Sequence, residues 1–337
     1  MPKPLKIVIP MAGYGTRLRP LTWSKPKPLI PLAGGTVLDH LLNMFRTVPD
    51  FDSAEFVFIL GSTMGDQIQD HMAEHYPDWH VDYAIQPEMK GQSDAFWQAR
   101  QFLHGSMLMA FSDTLIENDF SFLQGETLDG VAWVKPVPDP RRFGVAVVND
   151  RGEVTRLIEK PQDITKNLVV VGCYYFKEAE DLVAAIEEQV RRNVNLRGEF
   201  YLADAINILL EQGKQMRTEK VETWLDAGTL QAILETNQYL LENGRENTKS
   251  LPDLVQCDIH PPVFIHPTAR VSQSSIGPHV SIGAGAVVNG SSLKNAVLAP
   301  NCQVNASTLA DSILGQNVTV SEFSGKLFLG DDSVVNQ

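Results

Sequence analysis

Cysteine is scarce, with three in 337 residues. Cys173, Cys257 and Cys302 are too few and too scattered for a disulfide framework or a zinc site. Such usage points to a reducing, cytoplasmic setting. Long apolar runs are missing too. No stretch approaches the ~20 residues of a membrane span, and the apolar segment near the N-terminus is too short and too soon interrupted for a signal peptide. Positive charge is in the minority, 28 Lys and Arg against 41 Asp and Glu, for a net charge of −13. That balance argues against nucleic acid as a bulk partner. It leaves room for a local cationic pocket that takes free nucleotides. The eight histidines show no metal spacing such as His-Glu-x-x-His, and no Ser/His/Asp arrangement stands out.

Against these absences, the first 30 residues are dense in chemistry. The apolar run Ile7-Val8-Ile9 enters Pro10-Met11-Ala12-Gly13-Tyr14-Gly15-Thr16-Arg17-Leu18 and closes with Lys25-Pro26-Lys27-Pro28. Gly13 and Gly15 let the backbone approach a ligand and point N–H groups at anionic oxygens. Arg17 and Lys27 add positive charge to the same loop, the combination that holds a polyphosphate. The commoner glycine loops do not fit. A dinucleotide fingerprint needs a third glycine where Leu18 stands, and a P-loop needs Gly-Lys-Ser/Thr after four spacers.

The first half of the chain alternates strand and helix signals. Residues 55–60, 81–86 and 107–111 read as buried strands, and 37–45, 66–76 and 93–103 as amphipathic helices. The alternation predicts an α/β fold with a mostly parallel sheet and helices on both faces, and ligands at the carboxyl ends of its strands. A hairpin is expected across 143–159 with its turn at Asn149-Asp150-Arg151-Gly152. A strand at 169–176 and helices at 179–192, 200–211 and 230–243 follow. Beyond a polar stretch the pattern changes. Single aliphatics recur every five or six residues among small ones: Ile265, Val271, Ile276, Ile282, Val288, Leu293, Leu298, Val304, Leu309, Leu314 and Val320. This hexapeptide spacing marks a parallel β-helix, with one aliphatic per face pointing inward. A small β-sandwich would alternate with period two, which is not seen. The expected division is 1–245, a linker at 246–260, and the β-helix at 261–337.

Asp113 follows the buried run Met107–Phe111 and comes after the phosphate loop, a natural place for a Mg²⁺ ligand. Read alone, it also suits a helix N-cap. Asp226, in Trp224-Leu225-Asp226-Ala227-Gly228-Thr229, also suits a cap, here of the helix that starts near Thr229.

The opening loop resembles the signature of the sugar-1-phosphate nucleotidylyltransferases, which runs roughly Leu-Ala-Ala-Gly-x-Gly-Thr-Arg-Leu-x-Pro-Leu-Thr and then Pro-Lys-Pro-Leu. The lead-in Pro10-Met11-Ala12 and the dipeptide Ser112-Asp113, where the family has Gly-Asp, are departures. Later motifs carry the resemblance over roughly the first 240 residues. It implies a Rossmann-like domain followed by a short left-handed β-helix. Ala12, Gly13, Gly15 and Thr16 would bind the nucleotide, with Gln86 reading a pyrimidine edge and Gly91 packing at the base. Arg17, Lys27 and Lys160 would be catalytic cations, and Asp113 and Asp226 the Mg²⁺ ligands. Glu159-Lys160-Pro161 would meet the sugar hydroxyl and phosphate. Gly144, Gly172, Tyr174 and Glu199 would complete the sugar site. The substrates implied are a nucleoside triphosphate, dTTP or UTP, and a sugar 1-phosphate, with glucose 1-phosphate leading. Mannose-1-phosphate guanylyl transfer is the alternative within the class, and a non-catalytic regulatory or scaffold subunit the alternative outside it. No membrane or nucleic-acid partner is expected, and a homo-oligomer is. Every chemical motif precedes the linker, so a chain ending near Asp253 is expected to stay competent, with the β-helix serving packing or assembly.

Overall fold

The computed structural model describes residues 4–336. Its contacts divide the chain into two compact units, 1–13 with 41–224 and 14–40 with 225–337.

The first unit is built on a nine-stranded sheet. Lys6–Pro10, Glu55–Gly61 and Met107–Ala110 are apolar almost throughout, as strands covered on both faces must be. Lys6–Pro10 lies between the other two and parallel to both, with Val8 opposite Val57 on one side and Met109 on the other. Val81–Gln86 extends the parallel part beyond Glu55–Gly61. The order of strands thus reverses at the first one, and the crevice outside the carboxyl ends at such a point is where α/β sheets bind ligands.

The other half of the sheet is antiparallel. Leu168–Phe176 pairs with Met107–Ala110, Gly130–Pro136 and Val145, and the hairpin Gly144–Val148 and Val154–Glu159 forms the edge. The expected turn closes this hairpin, with the Asn149 side-chain Oδ1 accepting from the Arg151 and Glu153 amides at 3.0 Å each. Gly130–Pro136 and Met216–Lys220 are further strands, parallel to each other, that the alternation did not announce. The sheet as a whole is therefore mixed.

Helices Gly65–His75, Gln92–Ala99, Ala179–Arg191 and Leu202–Glu211 belong to this unit. The second stops short of the expected Leu103, tightening into a 3₁₀ turn at Arg100–Phe102. Phe96, Ile206, Tyr174 and Met109 meet in one buried cluster with Val8 and Val57. Burying a side chain of this size is worth ~2–3 kcal/mol.

In the second unit, helix Leu230–Leu240 is capped by Thr229, whose hydroxyl accepts from the Ala232 amide at 3.2 Å. It ends three residues before the expected Asn243, where Asn243 and Gly244 leave helical geometry. The C-terminal strands wind as a parallel coil. Val271 lies opposite Val288, Val288 opposite Val304 and Val304 opposite Val320, a repeat of 17, then 16, then 16 residues. Ile276, Leu293 and Leu309 form a second ladder, and Ile265, Ile282, Leu298 and Leu314 a third. All eleven aliphatics named from their spacing sit in one buried cluster. Residues expected to be linker hydrogen-bond to the first coil. The Asn247 side chain accepts from the Ile265 amide at 2.9 Å and donates to its carbonyl at 2.8 Å, as a strand neighbour would.

Candidate functional site

Ala12 and Gly13 leave the first strand toward the reversal of strand order. Gly61, at the end of the neighbouring strand, has no room for a side chain, since a Cβ there would lie 2.8 Å from the Ala12 carbonyl. Gly13 faces open space.

Gln86 ends its strand buried, 3% exposed. Its amide nitrogen donates to the Gly91 carbonyl at 3.0 Å and to the Asp94 carboxylate at 2.7 Å. Its amide group thus bridges the Gly91 loop and the first turn of helix Gln92–Ala99. Gly91 has φ +107°, and a Cβ would fall 2.5 Å from the Phe200 carbonyl oxygen. Its lack of a side chain seats residues 199–201 against this loop, through Phe200 N–H to Lys90 O at 2.8 Å and Ser93 N–H to Phe200 O at 3.0 Å.

Asp113 occupies a turn between Met107–Ala110 and the short strand Thr114–Glu117. No helix follows it, so it is not a helix cap. Gly172, at φ +86°, makes this turn possible. A Cβ there would strike the Phe111 ring at 2.6 Å, while the Phe111 amide donates to the Gly172 carbonyl at 3.0 Å. Gly172 is thus required by the turn that carries Asp113.

Around the hairpin edge the structure gathers Glu159, Lys160, Tyr201 and Glu199. Lys160 sits at φ +48°, uncommon for a side chain of its size. Its ammonium donates to the Tyr201 hydroxyl at 3.0 Å, lies 4.9 Å from that ring's centre and 4.0 Å from Glu159 Oε1. The Tyr201 hydrogen bond is the main cause that raises the Lys160 pKa. Burial raises that of Glu159; Lys160 opposes the rise, and Asp204 and Glu199 add to it. Gly144 keeps the space beside Glu159 open, its missing Cβ lying 3.2 Å from Glu159 Oε2. Tyr174, expected in the sugar site, is 6% exposed and belongs to the buried cluster, and the Glu159 carboxylate is near enough to act on its phenol. Burial pushes its phenol far above the usual range. Tyr201 is the member that sequence reasoning missed, although it stands two residues after Glu199.

In the second unit, Gly15 takes a left-handed conformation at φ +59°, and the Thr22 hydroxyl donates to its carbonyl at 2.8 Å. Thr16, Arg17 and Leu18 follow as a 3₁₀ turn with Arg17 exposed, and Lys27 opens another. Asp226 is exposed and accepts from the Gly228 amide at 2.8 Å. Thr229 supplies the cap of the following helix, so Asp226 is not that cap. Among the described residues, no group of three or more His, Cys, Asp or Glu could hold a metal by itself, and no helix is long and apolar enough to cross a membrane.

A sheet whose strand order reverses at the strand leading into the glycine turn, with a parallel coil after it in the chain, defines a doubly wound class of α/β protein whose ligands bind at that reversal. Comparison with known proteins names the family. The chain belongs to the nucleotidyl transferase family, whose model matches residues 6–243, and a GMPPB C-terminal domain model matches 259–337. Its relatives include the low-salt glycan biosynthesis nucleotidyltransferase Agl11 of Haloferax volcanii, 29% identical over 99% of this chain and 98% of that protein. A glucose-1-phosphate thymidylyltransferase of Streptomyces griseus is 27% identical over 98% of each. Among solved structures, a UDP-glucose pyrophosphorylase complexed with UDP-glucose shares the fold, with a TM-score of 0.60 at 20% identity, covering 72% of this chain and 100% of that one.

Proposed function

We propose that the protein transfers a nucleoside monophosphate from a nucleoside triphosphate to a sugar 1-phosphate, releasing pyrophosphate. dTTP or UTP is the favoured donor and glucose 1-phosphate the favoured acceptor, as the thymidylyltransferase relative suggests. The observation that carries this reading is the Glu159–Lys160–Tyr201 cluster, in which a cation held by a phenol stands beside a half-buried carboxylate. A phosphate and a sugar hydroxyl are the partners such a pair suits. The proposed division is a catalytic part at 1–245, a linker at 246–260 and a β-helix at 261–337, and the separate family matches to 6–243 and 259–337 support two parts.

An oxygen of the sugar phosphate attacks the α-phosphorus in line. The bond from that phosphorus to the bridging α–β oxygen breaks, and pyrophosphate leaves with its electron pair. The attacking oxygen is already anionic, so no general base is required. The difficulty is charge, because two polyanions must converge. Arg17 and Lys27 offset the triphosphate and Lys160 the sugar phosphate. Asp113 and Asp226 would hold Mg²⁺, which needs only one or two carboxylates because substrate phosphates and water complete its shell. Bound there, the ion would neutralise charge on phosphate oxygens. Three cysteines without a disulfide favour a cytoplasmic setting.

Because the Gln86 amide nitrogen already has partners within the chain, guanylyl transfer to mannose 1-phosphate stands as the second reading. Pyrophosphate release from dTTP, UTP, GTP and ATP, each with glucose 1-phosphate and mannose 1-phosphate, tests both. The highest kcat/KM is expected for dTTP or UTP with glucose 1-phosphate. A higher value for GTP with mannose 1-phosphate establishes the second reading, and no release from any pair refutes the activity.

A further inference from the structure

We infer that Asp331, in the last coil of the β-helix, is a positioning residue for the loop that carries Arg17 and Lys27. The β-helix on this view is part of the triphosphate site's scaffold as well as a packing module. The inference rests on the proposed role of those two cations.

The segment 14–40 shares one compact unit with the β-helix. Asp331 is one point of attachment. Its Oδ1 lies 3.0 Å from the Lys25 ammonium and accepts from the Gln316 amide of the preceding coil at 2.7 Å. Its Oδ2 accepts from the Ser24 hydroxyl at 2.6 Å. One carboxylate thus ties two consecutive loop residues to a fixed backbone N–H. The side chains of Lys25 and Asp331 are each only 11% exposed. A shielded pair with further hydrogen bonds on its carboxylate holds its geometry where an exposed one does not, and removing one partner leaves the other shielded and uncompensated. Next to it, Gly330 packs so closely that a Cβ would lie 2.9 Å from the Pro20 carbonyl oxygen.

A second attachment lies further along the loop. The Asn237 side-chain Oδ1 accepts from the Ala33 amide at 3.1 Å and from the Ser281 hydroxyl at 2.7 Å, and its Nδ2 donates to the His279 carbonyl at 3.2 Å. The Phe264 ring fills the space over Gly34, where a Cβ would lie 2.6 Å from it. Lys27 falls between the two attachments and Arg17 shortly before the first. Arg19, Lys25 and Lys27 each precede a proline, which narrows the freedom of the chain between the anchors. A loop built of short 3₁₀ turns, with two cations to aim, is set in place by what it is fastened to.

The test compares the full-length wild type with Asp331→Ala, Lys25→Met, the double variant, and the milder Asp331→Asn and Gly330→Ala. Calorimetry with dTTP, UTP and GTP gives Kd, and amide exchange is followed at Leu18, Leu29 and Ile30, whose N–H groups close the loop's own turns. Exchange in the strand Glu55–Gly61 serves as the internal control. Asp331→Ala is expected to speed loop exchange, to leave the control strand unchanged, and to weaken the best triphosphate by about tenfold or more, the effect of an unpaired shielded charge. KM for the sugar phosphate should stay within about twofold, because that substrate meets other residues. The double variant should lose little beyond Asp331→Ala, the mark of one shared interaction. If Asp331→Ala does not fold, Asp331→Asn and Gly330→Ala carry the comparison with smaller shifts in the same direction. Loop exchange at the wild-type rate, or faster exchange with unchanged Kd, overturns the inference. Should the wild type bind a triphosphate yet release no pyrophosphate, the proposed activity fails while the anchoring is still decided by Kd and exchange. A wild type that binds none of the three removes both.

Discussion

Single side chains in this protein are set by the partners that hold them. Asp226 accepts from the Gly228 amide, a bond that an asparagine oxygen can keep. Asp226→Asn and Asp113→Asn should therefore fold, with melting temperatures close to wild type, while turnover at saturating Mg²⁺ falls at least ~100-fold through loss of the charge. Near-normal rates in both variants would remove the metal assignment. Glu159 offers a pH test. Burial lifts its folded pKa above the ordinary 4.5, so the folded state holds the proton more tightly than the unfolded chain. The stability from this group is present below the unfolded value and lost as pH rises from 4.5 through the folded value. Glu159→Gln should thus raise the melting temperature at pH 7.5 relative to wild type, and the gap should close by about pH 4. A gap independent of pH contradicts the raised pKa.

At the scale of elements, close backbone approaches decide which strands and turns meet. Gly91 seats residues 199–201 against the Gln86 loop, and its φ and its contact with Phe200 both forbid a side chain. Gly91→Ala should cost ~2 kcal/mol or more of unfolding free energy in urea. It should also raise KM for the sugar phosphate, because Tyr201 and Lys160 shift with the segment. A change below ~0.5 kcal/mol would show that the loop relaxes freely. These elements were unevenly legible in the sequence. The inward aliphatics of the coil could be named one by one, because a six-residue repeat with one buried position per face leaves a periodic trace. The parallel strands were legible as continuous apolar runs. Gly130–Pro136 carries a similar run and could have been read the same way, but Met216–Lys220 is polar and gives no such signal. The motifs named the residues of the site but not the sterics behind them. That Gly91 answers to Phe200, and Gly172 to Phe111, is set by contacts between distant parts of the chain, which local composition does not encode. The same holds for the engaged nitrogen of Gln86 and the burial of Tyr174.

For the whole molecule, the expected independence of the β-helix gives way. Residues 14–40, which carry Arg17 and Lys27, share a compact unit with residues 225–337. A chain ending at Asp253 loses Asp331, Phe264, His279 and Ser281 together and leaves the loop's inner face uncovered. Its rate of pyrophosphate release should fall by more than about tenfold, or ~1.4 kcal/mol in the barrier, even where circular dichroism shows the sheet intact. Activity within a few-fold of the full chain would restore the simpler modular picture.

The ladder of coils is also a ruler. Ser281, near the Asn237 attachment, lies opposite Val297, Val297 opposite Ile313, and Ile313 opposite Phe328, three residues before Asp331. Three steps of ~4.8 Å separate the two fastening points along the coil axis, roughly 14 Å in all. Repeat proteins ordinarily gain or lose whole repeats at little structural cost, since each touches only its neighbours. Here one extra coil would carry Asp331 ~4.8 Å past Ser24 and Lys25. The number of coils between the two fastenings is therefore tied to the length of a loop some 300 residues earlier in the chain, and a lineage that changes one must change the other.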